Sequence, residues 1–349
     1  MDGAGVSVNE PGPDTPSSRA VPDTSAPDDW ATRRADEVLA RAEAFALDAA
    51  PTPQVRALLD TAFIGLREQA RRFQQVHFVH LPLLVYGNLR GDDVPATPLA
   101  AATSLFFLGL DICDDLADDD LPEHWSGWST NEINLVSLAL LATLPQLAIE
   151  GLDAPAATRA AMQAALARGL LCMMGGQQRD LSAAGTAEVS AAAVEETIAA
   201  KGGEELAIFA TLAAQLAGAA PDQIERYAAL GRVLGTGGQL VSDCLDVFNA
   251  PHSKDLAAGA RTLPIVLGLN QLEGRARADF LALLDRARHD EAACEDVRRQ
   301  LRDPGVVWRC ALTIEVYRQR ALRLLDTVGG QEPANGRLRT MIQGLTWPG

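Results

Sequence analysis

Apolar residues recur at three- and four-residue spacing through the long segments of this chain, and no run alternates with period two for long enough to argue a strand. Stretches such as "TRRADEVLARAEAFALDAA" and "VRALLDTAFIGLREQARRFQQ" are rich in Ala, Leu, Glu and Arg, which lose little freedom on entering a helix. Short breakers separate them, among them Pro51-Thr52-Pro53, Gly87-Asn88, Pro221, Pro251 and Gly329-Gly330. The pattern predicts one all-α domain over residues 31–349, built of about 10–12 helices. Residues 1–30 are Pro, Ser, Asp and Gly with almost no large apolar side chains, and are expected to form a disordered tail because they bury too little surface to offset their ordering entropy.

Charge and cysteine usage narrow the function classes. With 30 basic against 46 acidic residues the formal charge is −16, which repels phosphate backbones and anionic lipid. No basic cluster reverses that field, so a nucleic-acid partner is not expected. The five cysteines are odd in number and form no C-x-x-C pair, which argues against a disulfide framework or a zinc site and fits a reducing cytoplasm. No secretory signal pattern opens the chain, and the most apolar stretch, roughly residues 133–149, contains Ser, Thr, Gln and Pro, so no membrane span is expected.

One segment departs from this background. Residues 110–120 read "LDICDDLADDD", six aspartates in eleven positions, behind the apolar run Leu105 to Leu108. On a helix Asp111, Asp114, Asp115 and Asp118 fall within roughly 100° of arc. Like charges one turn apart repel, and acids at a helix C-terminus oppose its dipole. A solvated helix end is the plain reading of an acidic run; the preceding apolar segment favours a hard divalent cation, with Mg²⁺ taking carboxylate oxygens and substrate phosphate. A second acidic pair, Asp243 and Asp246, follows about 130 residues later, with Gln239 one turn before it. Two such stripes facing each other would clamp a diphosphate from both sides.

These residues resemble the trans-isoprenyl diphosphate synthases and their class I terpene-synthase relatives, over roughly residues 60–270. "DDLAD" at 114–118 is similar to the family's first aspartate-rich motif, "GQQRD" at 176–180 to its Gly-Gln-x-x-Asp, and "QLVSDCLDV" with "KDLAAGARTLP" to its second motif and tail. The resemblance implies an isoprenoid-synthase helical bundle around a central apolar cavity. It also implies Mg²⁺, three ions in all, held by Asp114, Asp115, Asp118, Asp243 and Asp246. Lys201 falls where the family contacts diphosphate, and Gln177, Asp180, Gln239, Lys254 and Arg261 would bind substrate. Gly109, five residues before Asp114, is small where the family gauges chain length with bulk, which implies room for a C15 or C20 chain. A cytoplasmic homodimer acting on a prenyl diphosphate is the implied assembly.

The departures bear on the reaction. Chain-elongating members hold isopentenyl diphosphate with a Gly-Lys-x-x-Arg-Pro stretch; aligned on Pro82, its two cations fall on Phe78 and Leu81. The expected Arg-Arg-Gly after the first motif is absent, the first aspartate of the second motif is Ser242, and the lysine before Arg261 is Ala260. Each lost charge-assisted hydrogen bond is worth about 1.5–3 kcal/mol. The expectation is therefore Mg²⁺-dependent ionisation of an allylic diphosphate followed by cyclisation or quenching, as in a class I terpene synthase. The alternative is prenyl transfer, to an acceptor other than isopentenyl diphosphate or as conventional chain elongation, and a non-catalytic partner subunit is the third possibility. His77 and His80, and Trp125, Trp128 and Trp347, are expected to be structural more often than functional.

Overall fold

The computed structural model describes residues 29–72, 76–118, 120–302 and 304–348. Fourteen helices follow one another among them, with no strand. They are α1 Trp30–Asp48, α2 Pro53–Arg72, α3 His77–Arg90, α4 Thr97–Ala117, α5 Thr130–Glu150, α6 Ala156–Ala183, α7 at 191–216, α8 Pro221–Asn249, α9 Lys254–Ala258, α10 Leu263–Leu269, α11 Gly274–Ala287, α12 Glu291–Leu301, α13 Pro304–Val328 and α14 Ala334–Gln343. The expected tail lies outside the described residues except at its end. There the boundary is corrected: Trp30 opens α1, is buried, and donates its indole N–H to Asp93 Oδ2 at 2.8 Å.

Helix α4 is the centre of the bundle. Leu99, Leu105, Phe106, Leu108 and Ile112 are buried along it, and α1, α3 and α5 pack around it. Val94–Ala117 and Thr130–Glu150 are both long and apolar enough to cross a membrane, but 72% of the first is buried inside the bundle. Its apolar composition is that of a core helix. The second is only 44% buried and exposes Leu135, Leu138 and Leu147.

Two helices carry a π-helical turn, and each turn has a local consequence. In α5 the turn Ala139–Thr143 pushes Leu140 and Leu141 against α4 at Gly109, where an added Cβ would lie 2.8 Å from the Leu141 backbone nitrogen. Gly109 therefore permits close helix contact and opens no space, which corrects the expectation of a pocket deepened at this position. In α7 the turn is Ala199–Gly203. Helix α8 lies backbone to backbone against it: a Cβ on Gly235 would fall 2.0 Å from the Gly202 carbonyl oxygen. Gly235 is what allows that approach, since any side chain there would overlap the α7 backbone.

A candidate diphosphate site between two acidic helix ends

The C-terminal end of α4, the C-terminal half of α6, the π-turn of α7 and the end of α8 surround a cavity of about 890 Å³. Asp114 and Asp118 face it from α4, Gln177 and Asp180 from α6, Lys201 from α7, and Gln239 and Asp243 from α8. The sequence motifs thus converge although 129 residues separate Asp114 from Asp243. Val189, Val194 and Ile198 supply an apolar side, so the cavity is polar at the carboxylates and apolar along this wall.

The π-turn aims Lys201 into the carboxylates. Its Nζ lies 2.6 Å from Asp180 Oδ2 and 4.0 Å from Asp114 Oδ1. Burial lowers the ammonium pKa, and the charges of Asp114 and Asp180 outweigh that and hold it raised. Gln177 Nε2 donates to Asp114 at 3.4 Å and Gln239 Nε2 to Asp243 at 2.9 Å. Burial pushes the Asp243 carboxyl up to about 7 against the Gln239 hydrogen bond, with Asp180 adding repulsion. Asp115 is also pushed up to about 7, by burial and then by Asp111. Carboxyls this crowded carry more negative charge than Lys201 and Lys254 neutralise, and all their donor atoms are hard oxygens. That donor set fits Mg²⁺, which takes one or two carboxylates per ion and completes its shell with water and phosphate.

Several expected site residues are placed differently. Asp246 accepts from Ser253 Oγ at 2.5 Å and from the backbone N–H groups of Lys254 and Asp255 at 3.0 Å, so it caps α9. Asp255 lines the cavity in its stead, with burial and then Asp243 raising its pKa well above the carboxylate range. The sequence signal for it is the acid directly after Lys254. Arg261 is 7% exposed and donates to the carbonyls of Thr186 at 2.7 Å and Gly259 at 3.2 Å, which holds the cavity wall rather than offering a free cation. Lys254 bridges Asp120 at 2.5 Å and Asp115 at 3.7 Å, tying α9 to the first acidic segment.

The position of the two missing cations is filled by apolar side chains. Phe78 and Leu81 are buried, and the Phe78 ring stacks on Phe107 with centroids 4.1 Å apart and planes at 15°. His77 covers the pair edge-on, 5.1 Å from Phe107, and its Nε2 meets Glu205 at 2.9 Å. His80 is fully buried between the backbones of Val76 and Ala31, a structural role. Trp128 donates to Thr61 and Trp347 packs on Phe248. All five cysteines are free.

Residues 129–301 match the family model for polyprenyl synthetases. That stretch includes Gln177, Asp180, Lys201 and Asp243 and leaves out the first aspartate motif. The fold is that of solved synthases at low identity. A polyprenyl synthetase from Streptomyces coelicolor A3(2) superposes with TM-score 0.77 at 20% identity, covering 90% of this chain and 98% of its own. For a geranylgeranyl pyrophosphate synthetase from Geoglobus acetivorans the values are 0.75, 21%, 90% and 96%, and for a decaprenyl diphosphate synthase from Rhodobacter capsulatus 0.77, 18%, 91% and 98%. No curated protein matches the chain. Residues 129–301 thus match the polyprenyl synthetase family, and the described residues have the helical fold of the solved synthases.

Proposed function

We propose that the protein ionises an allylic prenyl diphosphate and transfers the prenyl group to an acceptor other than isopentenyl diphosphate. The observation that carries this reading is the contrast between a cavity that keeps facing carboxylates and Lys201 and a co-substrate position filled by Phe78, Leu81 and Phe107.

Mg²⁺ held by Asp114, Asp118 and Asp243, with Asp115 and Asp255 adjacent, would neutralise the departing diphosphate. The chain's own residues do the positioning. Lys201 is a fixed ammonium at the cavity wall and donates to diphosphate oxygen when it leaves Asp180. Gln177 and Gln239 orient the carboxylates of Asp114 and Asp243. Val194 and Ile198 keep part of the wall free of water, so that the allylic cation meets its partner before solvent. Three ions and a C15 or C20 substrate belong to this proposal. So does a homodimer, which would cover Leu135, Leu138 and Leu147 of α5 and Leu171 and Met174 of α6, all exposed in the single chain.

Cyclisation is the second reading, favoured by the same loss of the isopentenyl diphosphate position. The deciding experiment incubates the protein with Mg²⁺ and C10, C15 and C20 allylic diphosphates, with and without isopentenyl diphosphate, and measures pyrophosphate and organic products. Pyrophosphate release independent of isopentenyl diphosphate, reduced by about 10²-fold or more in Asp114→Ala, is the expected result. A terpene hydrocarbon as the sole product would replace transfer by cyclisation. Longer diphosphates formed only with isopentenyl diphosphate would overturn the reading.

A further inference from the structure

The cavity lined by Asp114 and Asp118 is not acidic throughout. Asp111 and Asp115 face a separate cavity against α2, whereas the first one takes in a second group of side chains, Arg261, Thr262 and Arg288, on the segment after α9 and the turn after α11. This group carries the opposite charge. Arg261 and Arg288 converge on Gly259: Arg261 Nη1 donates to its carbonyl at 3.2 Å, and Arg288 Nε lies 3.2 Å from where a Gly259 Cβ would stand. Burial and then the charge of Arg288 lower the Arg261 pKa, so the two guanidinium groups are close enough to repel. Among the described residues neither has a carboxylate partner, although Glu188 lines the same cavity. The two lysines, by contrast, are engaged, Lys201 by Asp180 and Lys254 by Asp120.

Thr262 lies beside the arginines with its hydroxyl unused. The residue is 9% exposed, and its Oγ1 has no hydrogen-bond partner among the described residues. The cause is local. Thr262 is the cap residue of α10, where a threonine Oγ ordinarily accepts from the N–H of the second or third helical residue, and the second one here is Pro264, which has none. A buried hydroxyl without a partner is unfavourable, and a ligand oxygen accepting from it removes that cost.

The basic group is also near the acidic one. Ala260 donates its N–H to the Asp255 carbonyl at 2.8 Å, and Thr262 is two residues, at most about 8 Å, further along the chain. Asp255 and Asp243 are close enough for each charge to raise the other's pKa or be raised by it, so a diphosphate held there and an anion held at Thr262 lie within one small molecule's length.

We propose that Thr262, Arg261 and Arg288 form an anion subsite that holds the phosphate or carboxylate head of the acceptor, in the same cavity as the allylic diphosphate. The assignment rests on the transfer reading above. Arg261, pinned by the carbonyls of Thr186 and Gly259, supplies fixed charge; Arg288 is exposed and reaches the anion as a free arm, and Thr262 donates its hydroxyl. A neutral acceptor finds no such partners, so the subsite selects an anionic one. In the transfer, the allylic C1–O bond breaks with its electron pair on pyrophosphate, the acceptor's nucleophilic atom supplies the pair for the new bond to C1, and the proton on that atom passes to water.

Inorganic phosphate and acetate are titrated calorimetrically into wild type, Thr262→Val and Arg288→Met, with Mg²⁺ and saturating pyrophosphate to fill the carboxylate end, and again without either. Thr262 makes no capping bond and Arg288 is exposed, so both variants should melt like wild type. Wild type should bind phosphate alongside pyrophosphate. Arg288→Met should weaken that binding about tenfold or more and Thr262→Val about threefold or more, with the affinity for Mg²⁺ and pyrophosphate unchanged within about twofold. Acetate bound and lost in the same way supports the subsite for carboxylates as well; phosphate bound alone supports it for phosphates.

Phosphate that binds only when pyrophosphate is absent would make these residues part of the diphosphate site and overturn the assignment. No phosphate binding, or equal binding in both variants, would overturn it too. Farnesyl diphosphate with Mg²⁺ is then offered glycerol 3-phosphate or glycerol, which share a nucleophilic hydroxyl and differ in the anion. Transfer at least about tenfold faster to the phosphate is expected, equal rates would overturn the selection, and where neither is prenylated the binding result decides. If Mg²⁺ with pyrophosphate does not bind at all, the ionisation reading fails separately, and phosphate binding to the metal-free protein decides the subsite: loss in Arg288→Met supports it and equal binding overturns it.

Discussion

Phe107 and Asp111 lie one helical turn apart on α4 and belong to opposite kinds of surroundings. Phe107 stacks on Phe78 within an aromatic cluster that includes His77 and the buried Phe209 of α7. Asp111 accepts both of its hydrogen bonds from Gln69 Nε2 at 3.1 Å and begins the row of carboxylates that ends the helix. The first region is saturated: its groups have their partners within the fold. The second is left with carboxylates that the protein does not neutralise. A region that packs to completion has no use for a ligand, whereas unbalanced charge at a cavity persists only where a ligand or ion completes it.

The strongest way to break this comparison is to restore the missing cations. Phe78→Lys with Leu81→Arg places two charges in a closed core and removes a stacked ring, and should destabilise the protein by about 3–5 kcal/mol in denaturant melts. A double variant that melts like wild type and consumes isopentenyl diphosphate would show that the aromatic cluster is a dispensable plug over an intact site.

A smaller effect tests the other boundary of α4. Gly109→Ala puts a Cβ 2.8 Å from both the Leu141 Cγ and the Leu141 nitrogen. Overpacking of about 1–3 kcal/mol should exceed the ~1 kcal/mol helix gain of alanine, so the melting temperature falls. An unchanged melting temperature with shorter products would return Gly109 to the role of a chain-length gauge.

A third test concerns pH dependence, and it sharpens the charged side. Asp243 and Asp115, held up to about 7 by burial, bind protons in the folded state that the unfolded chain releases near pH 4. Between those values the folded state holds more protons, so these groups reduce the metal-free protein's stability as pH rises from about 4 to 7, with no further loss above. Thermal melts without metal should show that decline, and Mg²⁺ with pyrophosphate should raise the melting temperature more at pH 8 than at pH 5.5. Equal stabilisation at both values would mean that these carboxyls do not receive the ion.

Much of the site is legible in one dimension because its motifs are local. Asp114 and Asp118, or Gln239 and Asp243, are one helical turn apart, and that spacing alone places each pair on one helix face. Asp255 is missed for the complementary reason. Its neighbour Asp246 has the better motif spacing, and only the path of the chain after α8 shows that the Asp246 oxygens cap α9 while Asp255 enters the cavity. Arg261 is misjudged similarly, since a side chain's charge does not reveal that backbone carbonyls of Thr186 and Gly259 already engage it.

What the sequence determined by itself is the helical class and the two acidic helix ends, because periodicity and charge density are properties of short segments; that two cations are missing at Phe78 and Leu81 is legible only through the resemblance to a known family. Only the tertiary structure decided that a π-turn fills the space at Gly109, that Phe107 comes to Phe78, and that the four aspartates of α4 divide between two cavities. Those outcomes depend on which helices meet and at what depth. Packing of side chains distant in sequence sets both, and no local pattern contains them.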